Sequence, residues 1–95
     1  MNLPEPSLIL PFTKKYGPLG EITFLMQPVN SFTMPANAAQ IMEYSSFQAH
    51  WVDKGNNKGT VYATFNDIHY LVMRVTYNTP SPQLLIDLGF KEILQ

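Results

Sequence analysis

The stretch Asp53–Thr60, DKGNNKGT, places two glycines, two lysines and a threonine within eight residues. These are the residue types of a phosphate-cradling loop. Such a loop has the order G-x-x-x-x-G-K-[ST], with a strand before it and a helix after it, because the helix N-terminus supplies amide donors and a favourable dipole. Here Gly55 and Gly59 stand four apart, Lys58 precedes the second glycine, and the following TVYATF is strand-like. Registry gives an independent test. Pairing SFQAHWV (46–52) with TVYATF (60–65) so that Trp51 faces Val61 sets Ala49 against Ala63 and Phe47 against Phe65. On the other face His50 meets Tyr62 and Gln48 meets Thr64. A one-residue slip would exchange the faces. The stretch therefore reads as a hairpin tip, Asp53 to Gly59, where the asparagines and glycines tolerate positive φ.

The other chemistry-bearing residues do not assemble into a catalytic or metal pattern. The two histidines, His50 and His69, show no HxH, HxxxH or HExxH spacing, and a metal site wants three or four converging ligands. Ser45, Ser46, His50 and Asp53 lie too close along one strand to form a nucleophile, base and orienting acid, and no G-x-S-x-G occurs. The carboxylates are scattered, mostly at element ends and turns. The absence of cysteine excludes disulfides, thiolate zinc, iron–sulfur clusters and a thiol nucleophile. No cofactor and no metal are implied, and an enzyme is the less favoured reading.

What remains is binding. The registry places His50, Val52, Tyr62, Thr64, Tyr70, Val72 and Arg74 on the outer sheet face, and tyrosine and arginine are favoured at interfaces. The candidate binding residues are thus His50, Tyr62, Tyr70 and Arg74. A second set, Lys14 and Lys15 with Lys54 and Lys58, forms a small basic corner if the two loops share one end of the sheet. Sheet aromatics can also stack bases. Against that, the RNP motif is missing and six basic residues face seven acidic ones, a net charge of −1 with no excess to neutralise phosphates.

The elements that must position these groups follow from periodicity and punctuation. SLILPF (7–12) reads as a short strand kept to an edge by Pro11, followed by a turn through TKKYGPLG. EITFLMQ (21–27) alternates, with Ile22, Phe24 and Met26 on one side. Met34–Tyr44 reads as a helix capped by Thr33, with Pro35 in its first turn. HYLVMRVTY (69–77) is apolar on both faces and reads as a central strand. A three-residue loop before it turns Leu71, Met73 and Val75 inward and hides no charge. Ser81 and Pro82 suit a helix start, and Gly89 a helix end, after which residues 90–94 alternate as a closing strand; the rival reading is one helix running through Gly89 to Leu94. The same junction, a short helix ending at Leu-Gly-Phe and entering a strand, occurs in acetyltransferases and glyoxalase-like domains. The pyrophosphate loop of the first and the metal ligands of the second are absent, and no family is assigned.

Together these give one α+β domain over residues 1–95, with residues 1–6 loosely held. An antiparallel sheet of four to five strands, a meander from Phe47 to Tyr77, carries one or two helices on one face. The expected core is Ile22, Phe24, Met26, Ile41, Phe47, Trp51, Val61, Phe65, Leu71, Met73, Val75, Leu85 and Leu88. No run approaches the roughly 20 apolar residues of a membrane span, and MNLPEPSLIL does not read as a signal peptide, so a cytoplasmic protein is expected. The functional expectation is a small non-catalytic protein-binding module, an inhibitor or accessory factor of the phage or mobile-element kind, acting through an exposed aromatic face. Its partner is another protein or a second copy of the chain, and neither nucleic acid nor membrane. The alternative is a small-ligand or nucleotide binder with a His/Tyr/Arg pocket.

Overall fold

In the computed structural model, which describes residues 9–41 and 48–93, six strands form one antiparallel sheet. They are β1 (Phe12–Lys15), β2 (Gly20–Pro28), β3 (Ala39–Ile41), β4 (Ala49–Gly55), β5 (Lys58–Thr64) and β6 (His69–Tyr77), in the order β1-β2-β6-β5-β4-β3. One helix, α1 (Gln83–Ile93), closes the chain. The architecture is α+β as expected, with six strands instead of four to five. Among the described residues no helix is long and apolar enough to cross a membrane.

The hairpin β4–β5 pairs as the sequence indicates, Trp51 with Val61 and Ala49 with Ala63. Phe47 lies outside the described residues. The tip is tighter than Asp53–Gly59. The strands continue to Gly55 and Lys58, with a bulge between Asp53 and Gly55. Only Asn56 and Asn57 turn the chain, at φ 55° and 58°, the pair of positive angles that two-residue hairpin turns use. The Asp53 carboxylate accepts the Gly55 N–H at 3.0 Å and fixes the bulge. The next connection is the expected three-residue loop, Asn66–Ile68, since Thr64 pairs Tyr70 and the Phe65 N–H bonds the His69 carbonyl. The Asn66 side chain rigidifies it by accepting the N–H groups of Ile68 and His69 at 2.9 and 2.8 Å.

Three element expectations are corrected. First, the N-terminal strand is FTKK, not SLILPF, and of 7–12 only Phe12 is in a strand among the described residues. It is an edge strand, as Pro11 demanded, but Thr13–Lys15 extend it where a turn was expected. The turn narrows to a single 3₁₀ turn at Gly17–Leu19. Second, residues 34–41 form no helix. Residues 35–38 turn and Ala39–Ile41 pair with β4 as an edge strand. The helix-start signals at Thr33 and Pro35 were overridden by the demand of the β4 edge for a partner and of the sheet for a cover. The rest of that segment, 42–44, lies outside the described residues, as do residues 1–6. Third, α1 runs through Gly89 to Ile93, where a closing strand was expected. A Cβ at Gly89 would lie 2.8 Å from Ile22 Cδ1 and 2.9 Å from Met73 Sδ. The glycine lets the helix press on the sheet; it does not end it.

The topology dictates two cores. On the first face, Leu85, Ile86, Phe90 and Ile93 of α1, at i, i+1, i+5 and i+8, bury against Ile22, Phe24, Val61, Leu71, Met73 and Val75. Met26, Ile41 and Trp51 border this core half-buried, and Leu88 stays outside it. On the second face the chain must travel from β2, second in the sheet, to β3 at the far edge. The segment 29–38 makes that crossing and lays Phe32, Met34 and Ala38 over Val52, Tyr62 and Val72.

Candidate functional site

Among the described residues the second face divides into a covered and a bare half. In the covered half Phe32 stacks on Tyr62 (ring centroids 4.1 Å apart, 18° between planes) and meets Tyr70 edge-on at 6.0 Å. Tyr62 and Tyr70 are themselves edge to face at 6.0 Å. Such geometries add to simple burial. Tyr62 is only 7 % exposed and Val72 1 %. The expected exposed aromatic face is therefore corrected: its central tyrosine is a core residue. Burial pushes the Tyr62 phenol above its ordinary pKa, while the nearby Arg74 charge and a hydrogen bond with Thr60 oppose the rise.

The bare half is built by β1, β2, β6 and the first residues of β5. Strand alternation sends Thr13, Lys15, Glu21, Thr23, Arg74, Thr76, Lys58 and Thr60 to this side, where Thr60 is buried at the border with the covered half. The register aligns them in rows across the strands. One row runs Thr13, Thr23, Arg74, Thr60; the next runs Lys15, Glu21, Thr76, Lys58. Thr13 and Thr23 bond hydroxyl to hydroxyl at 2.8 Å. Arg74 sits in the middle, on the third strand of six, exposed, and forms no ion pair among the described residues.

The other expected binding residues scatter. His50 shares the second face but faces Gln40 and Tyr62, two strands from β6. Of the basic corner, Lys15 and Lys58 do share one end and one face, about 14 Å apart by three strand spacings. Lys14 points to the other face, where its ammonium bonds the Glu92 carboxylate of α1 and lies 5.4 Å from the centre of the Tyr16 ring. Lys54 sits in the bulge. The threonines of the bare half were passed over in the sequence. Their signal was alternation, a polar residue at every second strand position with charged residues between them.

A separate groove of about 390 Å³ lies where β2 ends and β6 begins, lined by Pro28, Val29, Asn30, Asp67, Ile68 and His69. The Val29 N–H bonds the Ile68 carbonyl at 2.9 Å and ties its two walls together. Ile68 is 62 % exposed beside it. Among the described residues, no group of three or more histidines and carboxylates could hold a metal ion.

Comparison of the chain with protein-family models, with curated proteins and with solved structures finds no match.

Proposed function

We propose that this chain is a small protein-binding module that takes an acidic surface of its partner on the bare half of the second face. The observation behind this reading is Arg74. An antiparallel sheet commonly leaves one face to solvent, and here that face carries at mid-strand an exposed guanidinium that has no ion pair among the described residues, which offers a site for a negative group. Lys15 and Lys58 extend the same sign of charge toward the ends of the neighbouring row, against Glu21 alone. Occupying such a surface on a partner is the action of an inhibitor or accessory factor of the kind phages and mobile elements encode.

The test is capture of a partner from a native lysate at low and high salt. The double variant Lys15→Glu/Lys58→Glu should lose that partner, while Lys54→Glu/Lys91→Glu, reversed elsewhere, should keep it. Capture should weaken with salt, as contacts between exposed charges do. Equal capture by both variants sinks the reading.

A second reading, small-ligand binding, moves from a His50–Tyr62–Arg74 pocket to the groove at Asp67–His69. Its volume lies at the low end of the roughly 300–1,000 Å³ of ligand sites, and Asp67 and His69 offer polar anchors. Thermal-shift screening separates the two, since a small molecule bound only by the native state raises the melting temperature.

A further inference from the structure

Resting on the protein-binding reading, we infer that Arg74 is the specificity point of the interface, and that it seats one carboxylate side chain of the partner with help from the hydroxyls beside it. The sheet register supplies the geometry. Thr23 and Thr60 lie directly opposite Arg74 on its two flanking strands, and Thr76 lies two residues along its own. Thr76 is exposed, Thr23 is half-buried and bonds Thr13 through its hydroxyl, and Thr60 is buried below the face, so Thr76 and Thr23 are the hydroxyls within reach of a partner. A planar guanidinium flanked by hydroxyl donors matches a planar acceptor with two oxygens.

The charge count selects carboxylate over phosphate. A phosphate of nearly two charges calls for several cations close at hand. Here one guanidinium stands alone in its row, and Lys15 and Lys58 are displaced to the next row beside Glu21 and Thr76. The single negative charge of Asp or Glu balances the single positive charge of Arg74. The β1 edge is the weaker contact surface. It is four residues long, follows Pro11 and carries Lys14 and Lys15, the devices that keep edges from pairing with foreign strands.

The probe is acetyl-hexaglutamate amide, titrated into the isotope-labelled protein and read at the Arg74 Nε–H and the amides of Thr23, Thr60 and Thr76. These signals should move before those of Lys54 and Lys91, and acetyl-hexaglutamine amide should leave them in place. Arg74→Lys keeps the charge and loses the fork, so it should bind at least about fivefold more weakly. Arg74 is exposed, and unchanged Trp51 fluorescence checks that the variant is folded. Three results overturn the inference: shifts spread evenly over all cationic side chains, full binding by Arg74→Lys, or inorganic phosphate binding Arg74 more tightly than the glutamate peptide. Loss of partner capture in Lys15→Glu/Lys58→Glu, alongside any of these, removes the inference and leaves the binding reading standing.

Discussion

At the scale of single residues, Tyr16 and Gly59 show how local chemistry is set by neighbours. The Tyr16 hydroxyl is buried without a hydrogen-bond partner among the described residues. Burial first, and then the Glu92 carboxylate, push its phenol up to about 12 from 10. The neutral form is thus favoured in the folded state. In the unfolded chain the phenol ionises near pH 10, while in the folded protein it holds its proton to about 12. Stability should therefore be insensitive to this group below pH 10 and fall as pH rises through that window. Chemical denaturation at stepped pH should show the fall, and Tyr16→Phe should flatten it. At neutral pH the same substitution should be neutral or stabilising by up to about 1 kcal/mol, because it removes a buried donor that bonds nothing. Gly59 has a different constraint. A Cβ there would lie 2.2 Å from two atoms of the Trp51 ring, which rests on the glycine backbone. Gly59→Ala should displace the ring into water. Trp51 is the sole tryptophan, so a red shift of its emission reports the change directly.

At the scale of elements, α1 shows two opposed effects at one glycine. Glycine within a helix costs about 1 kcal/mol relative to alanine. Against this stands the close contact of position 89 with Ile22 and Met73. Both contacting atoms are ends of flexible side chains, so a methyl can be admitted by a small shift. Gly89→Ala should stay within about 1 kcal/mol of the parent, whereas Gly89→Leu should cost about 1–3 kcal/mol as the helix is lifted from β2 and β6. Thermal or urea unfolding of the two variants distinguishes them. The Lys14–Glu92 ion pair joins β1 to the end of this helix, but its side chains are 39 % and 26 % exposed, which confines it to the small contribution of a surface pair.

At the scale of the whole molecule, sheet order decides what the second face can do. With β3 placed at the far edge from β2, residues 29–38 have to cross three strands. Their path covers Tyr62 and leaves Arg74 bare. Phe32 is the anchor of that crossing. Phe32→Ala should cost about 1–3 kcal/mol, because the side chain is half-buried and stacked. It should also let the Tyr62 phenol titrate closer to its ordinary value, since burial is the leading cause of its rise. Spectrophotometric tyrosine titration reads the second effect separately from the melting temperature.

The sequence by itself determined the local pairings. Alternation from Phe24 to Ile22, the Trp51–Val61 register and the inward set Leu71, Met73 and Val75 each rest on contacts between neighbours in a strand or hairpin, and periodicity of two encodes those directly. The residue types on the outer face, Arg74 among them, were legible for the same reason. What covers that face was not. Tertiary structure alone decided that residues 34–41 would be crossover and edge strand, that α1 would pass through Gly89, and that Tyr62 would be buried while Arg74 stayed open. Each depends on contacts between segments far apart in the chain, such as Phe32 with Tyr62 and Gly89 with Ile22. Burial of apolar surface across such distances outweighs a propensity of at most about 1 kcal/mol per residue.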